Sequence, residues 1–272
     1  MSTLDSGRTP PQKSTSGHSQ QRAVNPVLSL KGVSCELNGF RALKDLNFEL
    51  YPHERLALVG SNGSGKTTLL KLLHGLIEPQ SGELTWHQPL KQAMLFQRPQ
   101  MLNTSVTNHV ALAFVAKGLG WGAARYAALE LLAQVGLLGR AQNDAKTLSI
   151  GQQQRLSLAR AWALEPEVLF LDEPTASLDP ASKQQVEAMI EQWTHAARPN
   201  EPTTPLSPVQ SINSRTWILS SHNLGQVKRL ASRVIYLEQG CIHADLPVWE
   251  FFNTPLAQTH PKAHAFLQGE LI

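Results

Sequence analysis

Leu56-Ala57-Leu58-Val59-Gly60-Ser61-Asn62-Gly63-Ser64-Gly65-Lys66-Thr67-Thr68 is an apolar run, then a glycine-rich turn, then the start of a helical pattern. Four apolar residues without alternation predict a strand covered on both faces. Gly60, Gly63 and Gly65 let successive backbone N–H groups turn inward around an anion, and the helix that follows adds the positive end of its dipole. Gly60, Ser61, Asn62, Gly63, Ser64, Gly65, Lys66 and Thr67 match the P-loop pattern in register, with a strand before and a helix after. Lys66 is placed to reach the β- and γ-phosphates of a nucleotide, Thr67 to hold Mg2+, and Thr68 to approach the α-phosphate.

Outward from this unit the same alternation recurs. Ala93–Phe96, Val168–Leu171 and Trp217–Ser220 are short apolar runs of the buried parallel kind, and helical patterns cover Thr67–Leu76, Ala123–Val135, Gly151–Leu164 and Ala181–Thr194. Alternating strand and helix predicts an α/β fold around a mainly parallel sheet with right-handed crossovers. Two antiparallel hairpins frame it. Val27–Leu37 and Arg41–Leu50 flank Asn38-Gly39, whose residues tolerate positive φ, and form an N-terminal antiparallel β subdomain. Val234–Leu237 and Ile242–Ala244 flank Gln239-Gly240.

Between the second and third parallel strands, about 99–147 has helical patterning without a strand and reads as a helical insert subdomain. About 198–214 is rich in Pro, Ser, Thr and Asn and reads as an exposed loop. Residues 1–25 read as a disordered lead-in with no apolar core of a signal peptide. This leaves one domain over 26–250 and a C-terminal tail over 251–272; there is no internal repeat.

Composition agrees with a globular chain. Of 272 residues 42% are hydrophobic and 17% charged, which excludes a disordered polymer. A net charge of +3 excludes the basic stripe of a dedicated nucleic-acid binder, while a pI near 8.9 suits work beside an acidic membrane surface. Cys35 and Cys241 make no disulfide framework and sit in strand-like runs, as buried thiols do. The least charged internal stretch, Pro99 to Ala116, carries Gln100, Asn103, Thr104, Asn108 and His109, a polarity foreign to a membrane span.

The run Val168–Leu171 ends in Asp172-Glu173-Pro174. A buried strand that delivers carboxylates at its C-terminal tip does so where α/β sheets place their ligands. Asp172 is placed to hold Mg2+, and Glu173 to orient or deprotonate an attacking water.

Six elements now stand in order: the P-loop; Gln97 in Phe96-Gln97-Arg98-Pro99; Leu148-Ser149-Ile150-Gly151-Gln152; Leu171-Asp172-Glu173-Pro174; Ser177-Leu178-Asp179; and His222. This order, across Val27 to Leu246, resembles the nucleotide-binding subunit of ATP-binding cassette (ABC) transporters. The resemblance implies an ATP hydrolase that works with Mg2+ as a head-to-tail homodimer. Ser149, Gly151 and Gln152, at a helix start, would address the γ-phosphate held by the opposite subunit. Ile150 departs from the commoner Gly, so its side chain must point away from phosphate. Gln97 would follow Mg2+ and the attacking water, His222 would contact the γ-phosphate and Glu173, and Asp179 would organise the dimer seam. Leu37 stands where the family usually stacks an aromatic on adenine, so either Phe40, just across the turn, would supply the ring or stacking would be reduced.

No membrane domain is fused to the cassette, so the resemblance implies separate transmembrane permease subunits at the cytoplasmic face of the membrane and, in an importer, an extracytoplasmic solute-binding protein. The run Phe96-Gln97-Arg98-Pro99-Gln100-Met101-Leu102 and the ending Phe266-Leu267-Gln268-Gly269-Glu270-Leu271 look similar to importer subunits for small oxyanions such as tungstate, for phosphate or for polar amino acids. The alternatives are an exporter cassette and a soluble ABC ATPase of DNA repair or translation. Three features carry bland readings. His260 and His264 are four apart, but Pro261 disrupts a helical metal pair; Cys241 and His243 share a strand face and pack; the six Trp form no stacking stripe.

Overall fold

The computed structural model describes residues 25–37, 39–195 and 215–269. Residues 1–24 of the expected lead-in, Asn38 of the first turn and the loop expected over 198–214 lie outside them.

The first hairpin forms as its alternation dictates. Strand β1 (Leu28–Leu37) pairs antiparallel with β2 (Phe40–Leu50), in a register that sets Leu28 opposite Leu50 and Leu37 opposite Phe40. Gly39 closes the turn at φ 79°. Strand β3 (Arg55–Val59) leads through the glycine-rich turn into helix α1 (Lys66–Leu73). This helix ends three residues before the expected Leu76. Gly75 takes φ 81°, its N–H donates to Leu72 O, and the Leu76 N–H donates to Lys71 O. This left-handed glycine stop satisfies two end carbonyls.

Strand β4 (Ser81–Trp86) then adds to the free edge of β1 and completes a three-stranded sheet ordered β2-β1-β4. It has no counterpart in the sequence reading. It is a six-residue edge strand with Gly82 inside and no fully buried residue, so burial wrote no apolar pattern into it.

The second sheet adds β5 (Gln92–Leu95), β6 (Val168–Asp172), β7 (Thr216–Ser220), β8 (Arg233–Glu238) and β9 (Cys241–Pro247), in the order β5-β6-β7-β3-β8-β9. Only β8 and β9 run antiparallel; every other pair is parallel. All five residues of β6 and of β7 are buried, which is why these strands read as continuous apolar runs. Each large side chain here contributes about 1.5–3 kcal/mol relative to exposure.

The insert folds as helices α2 (Val106–Ala116) and α3 (Trp121–Gln134), joined to the core through α4 (Ile150–Ala163). Ser105 starts α2 by accepting the Asn108 N–H, and Val106, Val110, Ala124, Ala128 and Leu132 bury the facing sides. Helices α5 (Pro180–His195), α6 (Leu224–Leu230), α7 (Val248–Asn253) and α8 (Pro261–Gln268) complete the chain. Phe251, Leu256 and Ala263 of the last segment are buried in the main core.

Pro261 corrects one expectation. It does not disrupt a helix around His260 and His264; it opens α8 at a position where the missing N–H costs nothing, and the His264 N–H donates to His260 O. Among the described residues no cluster of His, Cys, Asp or Glu could hold a metal on its own, and no helix is long and apolar enough to cross a membrane.

Parallel strands bring their C-terminal ends to one edge. The register sets Asp172 beside Ser220 and Leu58 beside Ser220, so the ends of β3, β6 and β7 meet there.

Candidate functional site

The glycine-rich turn leaves β3 and wraps into α1. Gly65, at φ 108°, caps α1 in a conformation that L side chains rarely adopt. Gly60 has no room for a side chain at all: a Cβ there would stand 2.0 Å from Leu237 O. Lys66 is buried, and its Nζ donates to Gly60 O (2.8 Å) and Ser61 O (2.9 Å), so the ammonium lies inside the turn it follows. Burial lowers its pKa, opposed by the negative charges of Glu173, Asp172 and Glu238.

Opposite this turn, Asp172 is buried at the tip of β6. Its Oδ1 accepts from Thr67 Oγ1 at 2.9 Å and from Ser220 Oγ at 2.7 Å. The pair that the P-loop and acidic-strand patterns name separately, Thr67 and Asp172, is therefore in direct contact. Hard oxygen donors converging here suit Mg2+ rather than a soft metal. Glu173 follows at φ 44°, with its N–H donating to both Ser220 O (3.1 Å) and Ser220 Oγ (3.0 Å). His222 Nδ1 lies 2.9 Å from Glu173 Oε2.

In the sequence Ser220 is no more than the end of an apolar strand. Fully buried, it binds the side chain of Asp172 and the backbone of Glu173 at once. The only signal was the Ser220-Ser221-His222 run at a strand end, and a serine there is unremarkable until the neighbouring strand is known.

A cleft of about 440 Å³ runs from the first sheet to Glu173. Leu37, Phe40 and Ala42 form its apolar end; Asn62, Gly63 and Gly65 to Thr68 form its floor; Gln97 and Glu173 stand at the far end. Phe40 is exposed on the rim, as is Gln97.

Ser149, Gly151 and Gln152 do not line this cleft. They start α4 through a reciprocal cap: Ser149 Oγ accepts the Gln152 N–H, and Gln152 Oε1 accepts the Ser149 N–H. Ile150 is 56% exposed and points to solvent. Gly151 has a packing role that sequence did not reveal, since a Cβ there would meet Ser182 Oγ at 2.5 Å. Asp179 caps α5 and holds that same Ser182 through its N–H (3.0 Å) and hydroxyl (2.6 Å).

This geometry can be set beside known proteins. A family model described as ABC transporter matches residues 43–176. A nickel import ATP-binding protein of Rhodobacter capsulatus is 35% identical over 246 residues, covering 84% of this chain and 91% of its own. An aliphatic sulfonates import ATP-binding protein of Granulibacter bethesdensis is 34% identical over 221 residues, covering 81% and 83%. A solved dimeric ATP-binding cassette in a post-hydrolysis state, bound to ADP and Pi, shares the fold at a TM-score of 0.67 and 23% identity, covering 81% of this chain and 98% of its own. Likeness carried over nine-tenths of a relative's length, on a fold whose strand tips gather the expected motifs, makes this chain a member of the ABC transporter family and an ATP-hydrolysing nucleotide-binding subunit.

Proposed function

We propose that this chain is the ATPase of a membrane importer of a small solute and works as a closing homodimer at the cytoplasmic face. The observation that carries the reading is the pairing of Thr67 with Asp172 and of His222 with Glu173 by direct hydrogen bonds at the same strand ends. Phe40 and Leu37 offer an apolar wall to adenine. The backbone N–H groups of 60–67 and the α1 dipole hold the phosphates, and Lys66, aimed by the loop carbonyls, reaches the β- and γ-phosphates. Thr67, Asp172 and Gln97 would hold Mg2+, which when bound neutralises charge on the phosphate oxygens. Glu173 orients and deprotonates water, His222 steadies Glu173 and the γ-phosphate, and Lys66 stabilises the charge that develops.

The exposed start of α4 completes the partner's site. Ser149, Gly151 and Gln152 stand away from their own cleft, as this reading requires, and the positive end of the α4 dipole lies at the exposed Ser149 and Ile150, where it would favour an anion. The permease would seat beside Gln97 and the helical insert, and an extracytoplasmic solute-binding protein would deliver cargo. The importer direction is supported by relatives named for import. The oxyanion reading, tungstate included, rests on the runs 96–102 and 266–271, and relatives named for nickel and for sulfonates match this chain equally well. Co-purification with a membrane subunit, followed by transport assays of that complex, tests the importer reading and the cargo. In the purified protein, Glu173→Gln is expected to slow ATP turnover by about 10²-fold or more and to trap an ATP-dependent dimer in size-exclusion chromatography; a monomer at saturating ATP overturns the closing-dimer reading.

A further inference from the structure

The β8–β9 hairpin holds the phosphate-binding loop at two points that the mechanism above does not use. The Gly240 N–H donates to Ser64 O at 3.0 Å, and Ser61 Oγ donates to Glu238 Oε2 at 2.8 Å. The same carboxylate oxygen accepts from Tyr236 OH at 3.2 Å. Tyr236 is fully buried, and its ring meets Phe266 of α8 with centroids 4.9 Å apart. Burial, then the charge of Glu238, push the phenol well above its ordinary value, so Tyr236 stays a proton donor throughout the neutral range. Ser61 is also the residue whose carbonyl accepts from Lys66 Nζ and from the Ser64 N–H. Anchoring its hydroxyl restrains the peptide plane that aims Lys66.

A carboxylate beside an anion site opposes the anion by charge, so its presence calls for a geometric benefit. We propose that Glu238 is a positioning residue of the phosphate-binding loop: its carboxylate, oriented by Tyr236 beneath Phe266, fixes Ser61 and so sets the affinity of the loop for a nucleoside diphosphate or triphosphate. The inference rests on the assignment of residues 60–67 as the nucleotide site.

The test uses the full chain, calorimetric ADP affinity and steady-state ATP turnover. Glu238→Ala is expected to weaken ADP binding and raise the KM for ATP by about five- to tenfold, with kcat within about twofold. Glu238→Gln keeps an acceptor and drops the charge; its affinity is expected to match or exceed that of the parent. Ser61→Ala is expected to weaken binding as Glu238→Ala does, and the double variant to lose no more than either single one. Tyr236→Phe gives an intermediate loss and serves where Glu238→Ala does not fold. Equal losses for Gln and Ala, additive losses in the double variant, or a fall in kcat at unchanged KM each overturn the proposal. Lys66→Ala separates the two layers: if it retains ADP affinity, the nucleotide-site assignment itself fails.

Discussion

Ser220 ties the carboxylate of Asp172 to the backbone of the next residue, Glu173. Its hydroxyl donates to Asp172 and accepts the backbone of Glu173, whose φ of 44° costs on the order of 1 kcal/mol for a non-glycine residue. Removing the hydroxyl leaves a buried Asp172 oxygen short of one donor and relaxes the strained peptide. Ser220→Ala is expected to lower unfolding stability by about 1–3 kcal/mol in urea titration and to cut ATP turnover about tenfold, with ADP affinity much less affected. Asp172, Glu173 and His222 were legible in the sequence because each sits in a motif. Ser220 and Glu238 were not, since their meaning lies in partners 48 and 177 residues away.

At the scale of elements, the start of α4 is a packing junction as well as an exposed tip. Gly151→Ala forces a methyl group against Ser182 and is expected to cost about 1–3 kcal/mol in thermal unfolding; adding Ser182→Gly is expected to recover most of that loss. Helix α2 carries a different weakness. His109 is fully buried, and among the described residues neither ring nitrogen has a hydrogen-bond partner of good geometry; burial, with the charge of Arg160 adding and the nearby backbone of His109 and Gln100 opposing, holds its pKa below the usual 6.5. The folded state therefore favours the neutral ring. Its contribution is intact above about pH 6.5, the unfolded value, and is lost as pH falls through the lower folded value. His109→Leu is expected to raise stability at pH 7 by about 1 kcal/mol and to flatten part of the decline below pH 6.5, as followed by urea unfolding across pH. His74, lowered by burial in the same direction, accounts for a further share of that decline. The parallel strands were legible because burial on both faces makes their runs apolar. β4 was not, because an edge strand with polar faces reads like the loops around it.

At the scale of the whole molecule, the end of α5 and the residue before β7 are held together. The Arg215 N–H donates to Thr194 O at 3.1 Å, and the Arg215 guanidinium lies 4.8 Å from the Trp193 ring, so α5 and β7 meet before the chain between them is considered. Replacing 198–214 with a short flexible linker is expected to leave ATP turnover within about twofold, since closure entropy changes slowly with loop length; a large loss in a coupled ATPase assay would assign that segment a role. The last helix has an optical use. A second cavity of about 690 Å³ has Phe266 and Gly269 on one side and Gly60, Ser61, Glu173 and His222 on the other. Gln268 stands exposed beside Gly269, and the two native thiols are a buried Cys35 and a half-buried Cys241. A fluorophore attached through Gln268→Cys would sit at the mouth of the catalytic edge, where nucleotide-driven docking of a second copy should change its emission in real time, turning the end of the chain into a gauge of the cycle.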